Sequence, residues 1–209
     1  SYSNWELCFA DGSPTDELKG LVEGFKDERI CYHFIGENLG ISGNTNKALE
    51  MATGDWIVLC DHDDLLVPNA LYEFADRITK DPEIDSIYSD EDKIDETGKK
   101  LFEPHFKPDF NIDMLRSNNY ICHLYGVRKE LVDRVGKFNS QFDGAQDYDF
   151  ILRMSENSRK VGHVSKILYH WRTHINSTAA NPESKMYAFK AGAEAIKAHY
   201  ARELPNIKI

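Results

Sequence analysis

One short stretch constrains the fold of this chain more than any other. An apolar run, Trp56 to Cys60, leads directly into three carboxylates, Asp61, Asp63 and Asp64. A run of this length with β-branched and aromatic members is typical of a strand buried in a parallel sheet. Pro68 then opens a predicted helix, because the missing N–H of proline costs nothing in the first turn. The stretch therefore predicts a strand, an acidic loop and a helix in succession.

The three carboxylates indicate a metal site. Open α/β sheets bind ligands at the carboxyl ends of their strands, which is where these side chains are predicted to lie. Carboxylates crowded at one strand end repel one another unless a cation or exposure to water relieves the repulsion. Hard oxygen ligands suit Mg²⁺ or Mn²⁺, with substrate phosphates completing the shell. We expect a metal-bridged diphosphate site; the alternative is an aspartate that only caps the following helix.

The overall composition narrows the class of protein. The 209 residues, with a formal net charge of -10, have the composition of one soluble globular domain. That acidity argues against a nucleic-acid partner, which would require a basic stripe. The sequence shows neither an apolar run long enough to span a bilayer nor a signal peptide. Its four cysteines, none in a CxxC spacing, fit a reducing cytoplasm, so we expect a cytoplasmic protein. Because the chain begins at Ser1 and almost at once enters a predicted strand, we expect a piece of a longer protein.

Predicted strands and helices alternate along the chain. Apolar runs predict strands over residues 5–10, 29–34, 56–60, 86–88, 121–127 and 167–171. Periodicity and end signals predict helices over residues 15–25, 68–79, 129–135 and 183–200. The alternation predicts an α/β fold with a mostly parallel central sheet flanked by helices. Asp90 and its acidic neighbours, residues 89–92, are predicted to form a solvated loop.

Asp147 is the candidate for a catalytic base. It follows a glycine-bearing loop and starts a predicted helix, where the helix dipole favours its ionised form. A carboxylate aimed at a cleft can accept a proton from an attacking hydroxyl group. An N-cap role fits the same position equally well, so the residues alone leave both interpretations open.

Further polar residues indicate a ligand-binding region. Asn38 and Asn46 lie in a glycine-rich stretch that opens a helix, a place suited to an anion or a ribose. His170 alternates with Trp171 on a predicted strand, so its imidazole could complete a metal shell beside the carboxylates. His174 competes for that role, and spacing does not choose between the two histidines.

With these residues assembled, the chain resembles family 2 glycosyltransferases of the GT-A fold, above all the group that builds bacterial O-antigen, rhamnan and other cell-surface polysaccharides. The resemblance covers nearly the whole chain, and its specificity comes from the joint order of individually modest motifs. The matching motifs are Trp5-Glu-Leu7 with Asp11-Gly-Ser-Pro-Thr-Asp16, Asn38-Leu-Gly-Ile-Ser-Gly-Asn-Thr-Asn46, Ala52-Thr-Gly-Asp-Trp56 leading to Asp61-His-Asp-Asp64, Tyr88-Ser-Asp-Glu-Asp-Lys93, Phe106-Lys-Pro-Asp109, Asp143-Gly-Ala-Gln-Asp-Tyr-Asp149, and Leu168-Tyr-His-Trp-Arg172 with Ser177-Thr-Ala179.

The resemblance implies a metal-dependent inverting transfer of a sugar from a nucleotide-diphospho-sugar to a hydroxyl of a growing cell-surface glycan or lipid-linked acceptor. It implies that Asp147 deprotonates the acceptor hydroxyl. Asp61 and Asp63 match the DxD motif and would hold Mn²⁺ or Mg²⁺ together with His170 or His174. The implied donor contacts are Asp11 at the nucleobase, Asp61 near the ribose, and Asn38, Asn46, Asp90 and Arg172.

The resemblance also implies a domain plan. Residues 1–209 would form one GT-A domain, with a nucleotide-sugar and metal half over 1–93 and an acceptor half with a C-terminal helix over 94–209. Family members begin with a strand and a helix before the segment that starts here at Ser1. We therefore expect an N-terminal strand that lines the nucleotide pocket to be missing, with a sheet edge exposed. Lipid-linked acceptors, frequent in the family, imply contact with the inner face of the cell membrane.

Two other functions fit parts of the sequence. Asp61-His-Asp63 after an apolar strand also resembles the motif of haloacid-dehalogenase-type phosphatases, in which Asp61 would take the phosphoryl group and Asp63 would act as acid and base. That family places the motif on its first strand and follows it with a small residue, Thr or Val, whereas here two strands precede it and Asp64 follows. The second alternative is a non-catalytic module that binds a nucleotide sugar or a glycan.

Overall fold

The computed structural model describes residues 2–173 and 186–206. Its strands are β1 (Leu7–Asp11), β2 (Ile30–Phe34), β3 (Trp56–Leu59), β4 (Leu65–Leu66), β5 (Ser86–Ile94), β6 (Leu101–His105), β7 (Tyr125–Arg128) and β8 (Val161–Arg172). Its α-helices are α1 (Glu17–Gly24), α2 (Gly40–Met51), α3 (Ala70–Lys80), α4 (Ile112–Ser117), α5 (Lys129–Val135), α6 (Gln146–Asn157) and α7 (Met186–Glu203). A 3₁₀ turn covers Ser140–Phe142.

The strands form two sheets. Strands β1 and β2 pair in parallel, and the larger sheet has the order β3-β7-β5-β8-β4, with β6 also pairing with β5. Because β7 runs antiparallel to both β3 and β5, and β8 runs parallel to β5, the strands β3, β5 and β8 share one direction. The end of β3, where the three carboxylates follow, therefore lies at the same edge of the sheet as the ends of β5 and β8. The predicted α/β class with flanking helices is confirmed.

The prediction of a mostly parallel sheet is wrong. Among the described strands, β1–β2 and β5–β8 are the parallel pairs, and the other four pairs of the larger sheet are antiparallel. Strand β6 reverses because a tight turn, closed by a hydrogen bond from Gly98 N–H to the Asp95 carbonyl, returns the chain beside β5. A hairpin needs only a few residues, whereas a parallel pair needs a helical crossover, and the predicted alternation assumed crossovers throughout.

Strand β5 lies at the centre of the sheet and is longer than predicted. It continues to Ile94, so the predicted solvated loop around Asp90 is wrong, and Asp90 and Glu91 are buried in the strand. Hydrogen bonds replace the lost water: Lys107 N–H and His163 Nε2 both contact Asp90 Oδ1, at 2.9 Å each. The run of acidic residues predicted an exposed loop because a local sequence pattern does not show the hydrogen-bond partners that lie many residues away.

The core lies on both faces of the larger sheet. Along β5, Ile87 packs into a cluster with Phe74 of α3, whereas the next residue, Tyr88, packs into a cluster with Phe150 of α6. This alternation follows from the two-residue period of a strand and places helices on each face. Helix α5 occupies its predicted range and ends at Val135, just before Gly136, whose φ of 107° favours glycine.

The N-terminal and C-terminal parts of the chain contribute to the same sheet. Strand β3 pairs with β7, and Asn46 of α2 exchanges two hydrogen bonds with the main chain of Phe138, at 2.9 and 3.0 Å. Across residues 2–173 and 186–206, no helix combines the length and the apolar character that a membrane span requires.

Candidate active site

The acidic loop after β3 is fastened to the end of β8. Tyr169 donates its hydroxyl to Asp64 Oδ2 at 2.5 Å, and the N–H of Arg172 donates to Asp64 Oδ1 at 2.6 Å. The Asp61 N–H donates in turn to the Tyr169 hydroxyl at 3.1 Å, and Arg172 Nε donates to the Asp63 carbonyl at 2.6 Å. These four bonds fix the position of the loop relative to the sheet. Burial of the Asp64 carboxyl raises its pKa above the ordinary value.

A candidate metal centre lies on this loop. Among residues 2–173 and 186–206, the group of side chains able to hold an ion together is Asp61, Asp64 and His123, whose ligand atoms lie within 4.8 Å of one another. Two carboxylates and an imidazole are a suitable donor set for a divalent cation such as Mn²⁺. The residues present therefore fit the metal that the sequence predicts, although two of the three differ from the predicted set.

Asp63 and His170 lie outside that group. His170 Nδ1 is 2.5 Å from Asp92 Oδ1 across the β5–β8 pair, and Asp63 contributes its carbonyl to Arg172. The assignment of Asp61, Asp63 and His170 as the metal ligands stays a prediction. His174, the competing histidine, lies outside the described residues.

Asp147 stands beside the candidate metal centre, in the first turn of α6. Burial raises the pKa of its carboxyl, the electrostatic influence of the nearby His123 side chain acts in the opposite direction, and the negative charge of Asp61 raises the pKa further. Asn119 Nδ2 donates to Asp147 Oδ2 at 3.0 Å and fixes the direction of the carboxylate. A carboxylate held in this way and kept partly from water is suited to accept a proton from a bound hydroxyl.

Three residues of this site did not stand out in the sequence, namely Asn119, His123 and Tyr169. Asn119 and His123 precede β7 in a segment with no recognisable motif, and they meet the acidic loop only because β7 pairs beside β3. Tyr169 lies one residue before a histidine that drew attention instead. A polar cluster before a strand was the one available signal, and such clusters are common in ordinary loops.

Asp11 is placed at the carboxyl end of β1, as the sequence predicts. It is buried, and its carboxylate accepts hydrogen bonds from Ser13 N–H at 2.9 Å and from the Tyr32 hydroxyl at 2.6 Å. Hydrogen bonds from Ser13 and Tyr32 hold the pKa of Asp11 below its usual value, so the carboxylate is ionised at neutral pH. An ionised acceptor at this position could bind N–H groups of a nucleobase.

The other residues predicted to contact the nucleotide sugar already make hydrogen bonds within the protein, to different degrees. Asn38 Oδ1 accepts from Gly40 N–H and Asn44 Nδ2, both at 3.0 Å, and this exposed turn leads into α2. The amide of Asn46 is used on both sides by Phe138. The guanidinium group of Arg172 donates to backbone carbonyls in the acidic loop and in the turn after β5. The structure thus places Arg172 against the acidic loop that carries Asp61, and Asp11 in the separate two-stranded sheet.

Comparison with known proteins identifies the family. The profile described as "Glycosyl transferase family 2" matches residues 1–136. The chain belongs to glycosyl transferase family 2, and the fold and family together define it as a GT-A glycosyltransferase chain. This assignment leaves the phosphatase interpretation of Asp61 and Asp63 without support.

Several curated proteins are similar over most of this chain. The uncharacterized protein y4gI of Sinorhizobium fredii is 44% identical over 207 residues, covering 97% of this chain and 23% of that protein. The O-antigen biosynthesis protein RfbC of Myxococcus xanthus is 34% identical over 205 residues, covering 97% of this chain and 16% of that protein. A chondroitin synthase of Escherichia coli is 29% identical, covering 83% of this chain and 25% of that protein. The chain thus spans a quarter or less of these relatives.

Solved structures show the same fold at low sequence identity. S. aureus TarS 1–349 superposes with a TM-score of 0.68 and 18% identity, covering 95% of this chain and 56% of that chain. A TarS complex with UDP-GlcNAc gives 0.67 at 17% identity, covering 93% of this chain and 56% of that one. The mannosyltransferase PcManGT of Pyrobaculum calidifontis, in complex with GDP-Man and Mn²⁺, gives 0.57 at 18% identity, covering 95% of this chain and 54% of that one.

Proposed function

We propose that this chain is the catalytic domain of a metal-dependent inverting glycosyltransferase. It moves a sugar from a nucleotide-diphospho-sugar to a hydroxyl of a cell-surface glycan or a lipid-linked acceptor. One observation carries the proposal: in a family 2 chain, the oriented carboxylate of Asp147 stands beside the Asp61, Asp64 and His123 cluster. In this proposal residues 1–93 supply most of the donor site, with His123 and Arg172 added from residues 94–209, which also receive the acceptor.

The protein residues divide the work of a single displacement. Asp147 accepts the proton of the acceptor hydroxyl as its oxygen bonds to the anomeric carbon, and the bond from that carbon to the nucleoside diphosphate breaks. Asp61, Asp64 and His123 would hold a divalent cation, which when bound would supply positive charge to the departing diphosphate. Asp11, ionised at neutral pH, binds the nucleobase at the end of β1. Names of relatives support this class of substrate: TarS is solved with UDP-GlcNAc, and RfbC is an O-antigen biosynthesis protein.

The test is transfer or donor hydrolysis with Mn²⁺ across a panel of UDP-, GDP- and dTDP-sugars, comparing wild type with Asp147→Asn. Because a positioned general base contributes roughly 10²- to 10⁴-fold, we expect Asp147→Asn to release nucleoside diphosphate at least about 100-fold more slowly. The control is Asp133→Asn, the same change at an exposed position of α5. Full activity in Asp147→Asn would rule out Asp147 as the catalytic base. Binding of the nucleotide sugar without turnover in wild type would favour a non-catalytic binding module.

A further inference from the structure

A buried ion pair stands behind the segment that carries Asn119. The side chain of Lys107 is fully buried and that of Glu91 is 8% exposed, with 3.3 Å between Lys107 Nζ and Glu91 Oε2. Burying two charges costs free energy, which their attraction repays only when hydrogen bonds satisfy the remaining polar atoms. The groups that make those hydrogen bonds therefore show what the pair holds in place.

The Lys107–Glu91 pair holds the backbone of one short stretch. The Lys107 ammonium donates to the carbonyl of Ile121 at 2.6 Å and to the carbonyl of His123. With the Glu91 carboxylate, these two carbonyls give three oxygens, which match the three protons of an ammonium group. Glu91 Oε2 in turn accepts from the His123 N–H at 3.2 Å. Three hydrogen bonds from two charged side chains therefore fix the backbone over residues 121–123.

This stretch of backbone needs outside support. Residues 119–124 form neither helix nor strand, so their N–H and carbonyl groups have no partners in a regular element. Cys122 has a φ of 39°, in the left-handed region that a residue with a side chain rarely adopts. Such a conformation persists only where the surrounding structure enforces it. The Lys107–Glu91 pair supplies that support, because its hydrogen bonds reach the residues on either side of Cys122.

The supported backbone is connected to the Asp147 carboxylate through Asn119. The peptide unit between Ile121 and Cys122 accepts from Lys107 at its carbonyl, and its N–H donates to Asn119 Oδ1 at 3.4 Å. Because a peptide unit is planar, the ammonium that fixes the carbonyl also fixes the direction of the N–H. Asn119 Nδ2 donates in turn to Asp147 Oδ2 at 3.0 Å. One peptide unit and one amide side chain therefore link the buried ammonium to the carboxylate.

We propose that Lys107, with Glu91 as its counter-charge, is a positioning residue for the catalytic base Asp147. It acts through the segment before β7, whose backbone it holds. The proposal rests on the proposed function, in which Asp147 takes the proton of the acceptor hydroxyl. It gives one role to residues 88–93 and 106–109, two motifs that lie apart in the sequence and meet at the Lys107–Glu91 pair.

The test separates stability from positioning by two substitutions in the full chain. Lys107→Met removes the ammonium and leaves the Glu91 carboxylate buried without a counter-charge, so it should lower the urea midpoint of unfolding. Adding Glu91→Gln removes that charge and keeps an oxygen for the His123 N–H, so the midpoint should recover toward the wild-type value. The control is Lys197→Met with Glu194→Gln, the same two changes in an exposed ion pair of α7.

Sugar transfer then shows whether the pair acts on the base. In Lys107→Met/Glu91→Gln we expect kcat to fall about 100-fold although the protein is stable, because a displacement of about 1 Å at a reacting group costs about that much. In the Asp147→Asn background the same double change should cost almost nothing further, since residues that act as one unit lose their effects together. The exposed control pair should leave kcat unchanged in either background.

Amide hydrogen exchange, followed by nuclear magnetic resonance, gives a readout that needs no activity. The N–H groups of Cys122 and His123 should exchange faster in Lys107→Met/Glu91→Gln than in wild type, because their backbone loses the two hydrogen bonds from the ammonium. Unchanged exchange at these two amides would overturn the proposal whatever the activity.

Two kinetic outcomes would also overturn it. One is a kcat that recovers together with stability in Lys107→Met/Glu91→Gln, and the other is a loss of rate that multiplies with that of Asp147→Asn. If Lys107→Met alone does not fold, the double variant still decides between these outcomes. Wild type that transfers no sugar would instead overturn the proposed function, and with it the catalytic role of the pair.

Discussion

Asp147 shows how a single residue links environment to rate. Burial and the charge of Asp61 raise the pKa of its carboxyl, although His123 opposes them. A base works only when ionised, so the rate of transfer should rise with pH as the Asp147 carboxyl loses its proton. The measurement is kcat against pH at saturating donor and Mn²⁺. Asp147→Asn should lose this acidic limb, and an unchanged limb in that variant would assign the titration to another group.

The same raised pKa predicts a cost in stability. The folded protein holds the Asp147 proton more tightly than the unfolded chain, so stability falls as pH rises from the unfolded pKa through the folded one. At neutral pH the ionised carboxylate therefore destabilises the fold. Asp147→Asn removes that charge and keeps an oxygen that can accept from Asn119, so unfolding by urea at pH 7 should require on the order of 1 kcal/mol more. A less stable variant would contradict this account of burial.

At the residue scale the sequence predicted the types of side chain better than their partners. Asp61 and Asp147 followed from a strand end and a helix start, which are local features. His123 and Asn119 could not be predicted, because their roles arise only when β7 pairs beside β3, a contact between residues about seventy positions apart in sequence. The candidate metal group differs from the predicted Asp61, Asp63 and His170 for the same reason: Asp64, next to Asp63, is the carboxylate that Tyr169 and Arg172 orient.

At the scale of elements, α2 is joined to the second half of the chain by Asn46. Its amide donates to the Phe138 carbonyl and accepts from the Phe138 N–H, a pairing that a carboxylate cannot reproduce. Asn46→Asp should therefore lower the free energy of unfolding by about 1–3 kcal/mol, since it leaves a carbonyl facing a negative charge.

Asn4→Asp makes the same change at an exposed position and is the control for Asn46→Asp. Chemical denaturation gives the stability of both variants, and calorimetry with a nucleoside diphosphate gives their affinity for the donor. A stable Asn46→Asp that binds the nucleotide more weakly would restore the predicted role of Asn46 as a donor contact.

Helix α5 and strand β5 show where local sequence patterns predict the bounds of an element and where they do not. The end of helix α5 could be predicted to the residue because a glycine with positive φ, Gly136, follows it. The length of strand β5 could not be predicted, because its second half contains Asp90, Glu91 and Asp92, and a run of acidic residues is typical of a loop exposed to water. Their burial depends on Lys107, His163 and His170, partners that come from later parts of the chain.

At the scale of the whole molecule, the two sheets differ in how deeply their residues are buried. Eight of the nine β5 residues are buried, whereas in β1 only Asp11 is buried and in β2 none is. Neither β1 nor β2 contributes to the two core clusters, so opening the small sheet exposes little apolar surface. Among the described strands, we expect backbone amides of β1 and β2 to exchange with deuterium faster than those of β5.

Donor binding should slow the exchange of amides in β1 and β2, because Asp11 joins the small sheet to the proposed nucleobase contact. A ligand at 100 times its Kd stabilises the state that binds it by about 2.7 kcal/mol, which is about 100-fold in exchange rate if opening abolishes binding. Hydrogen–deuterium exchange with and without nucleoside diphosphate and Mn²⁺ measures this, with β5 as the internal reference. Equal exchange of both sheets in the free protein would contradict the difference in packing. Slow exchange of β5 with no donor effect on β1 would instead separate Asp11 from the nucleotide and leave the rest of the site unchanged.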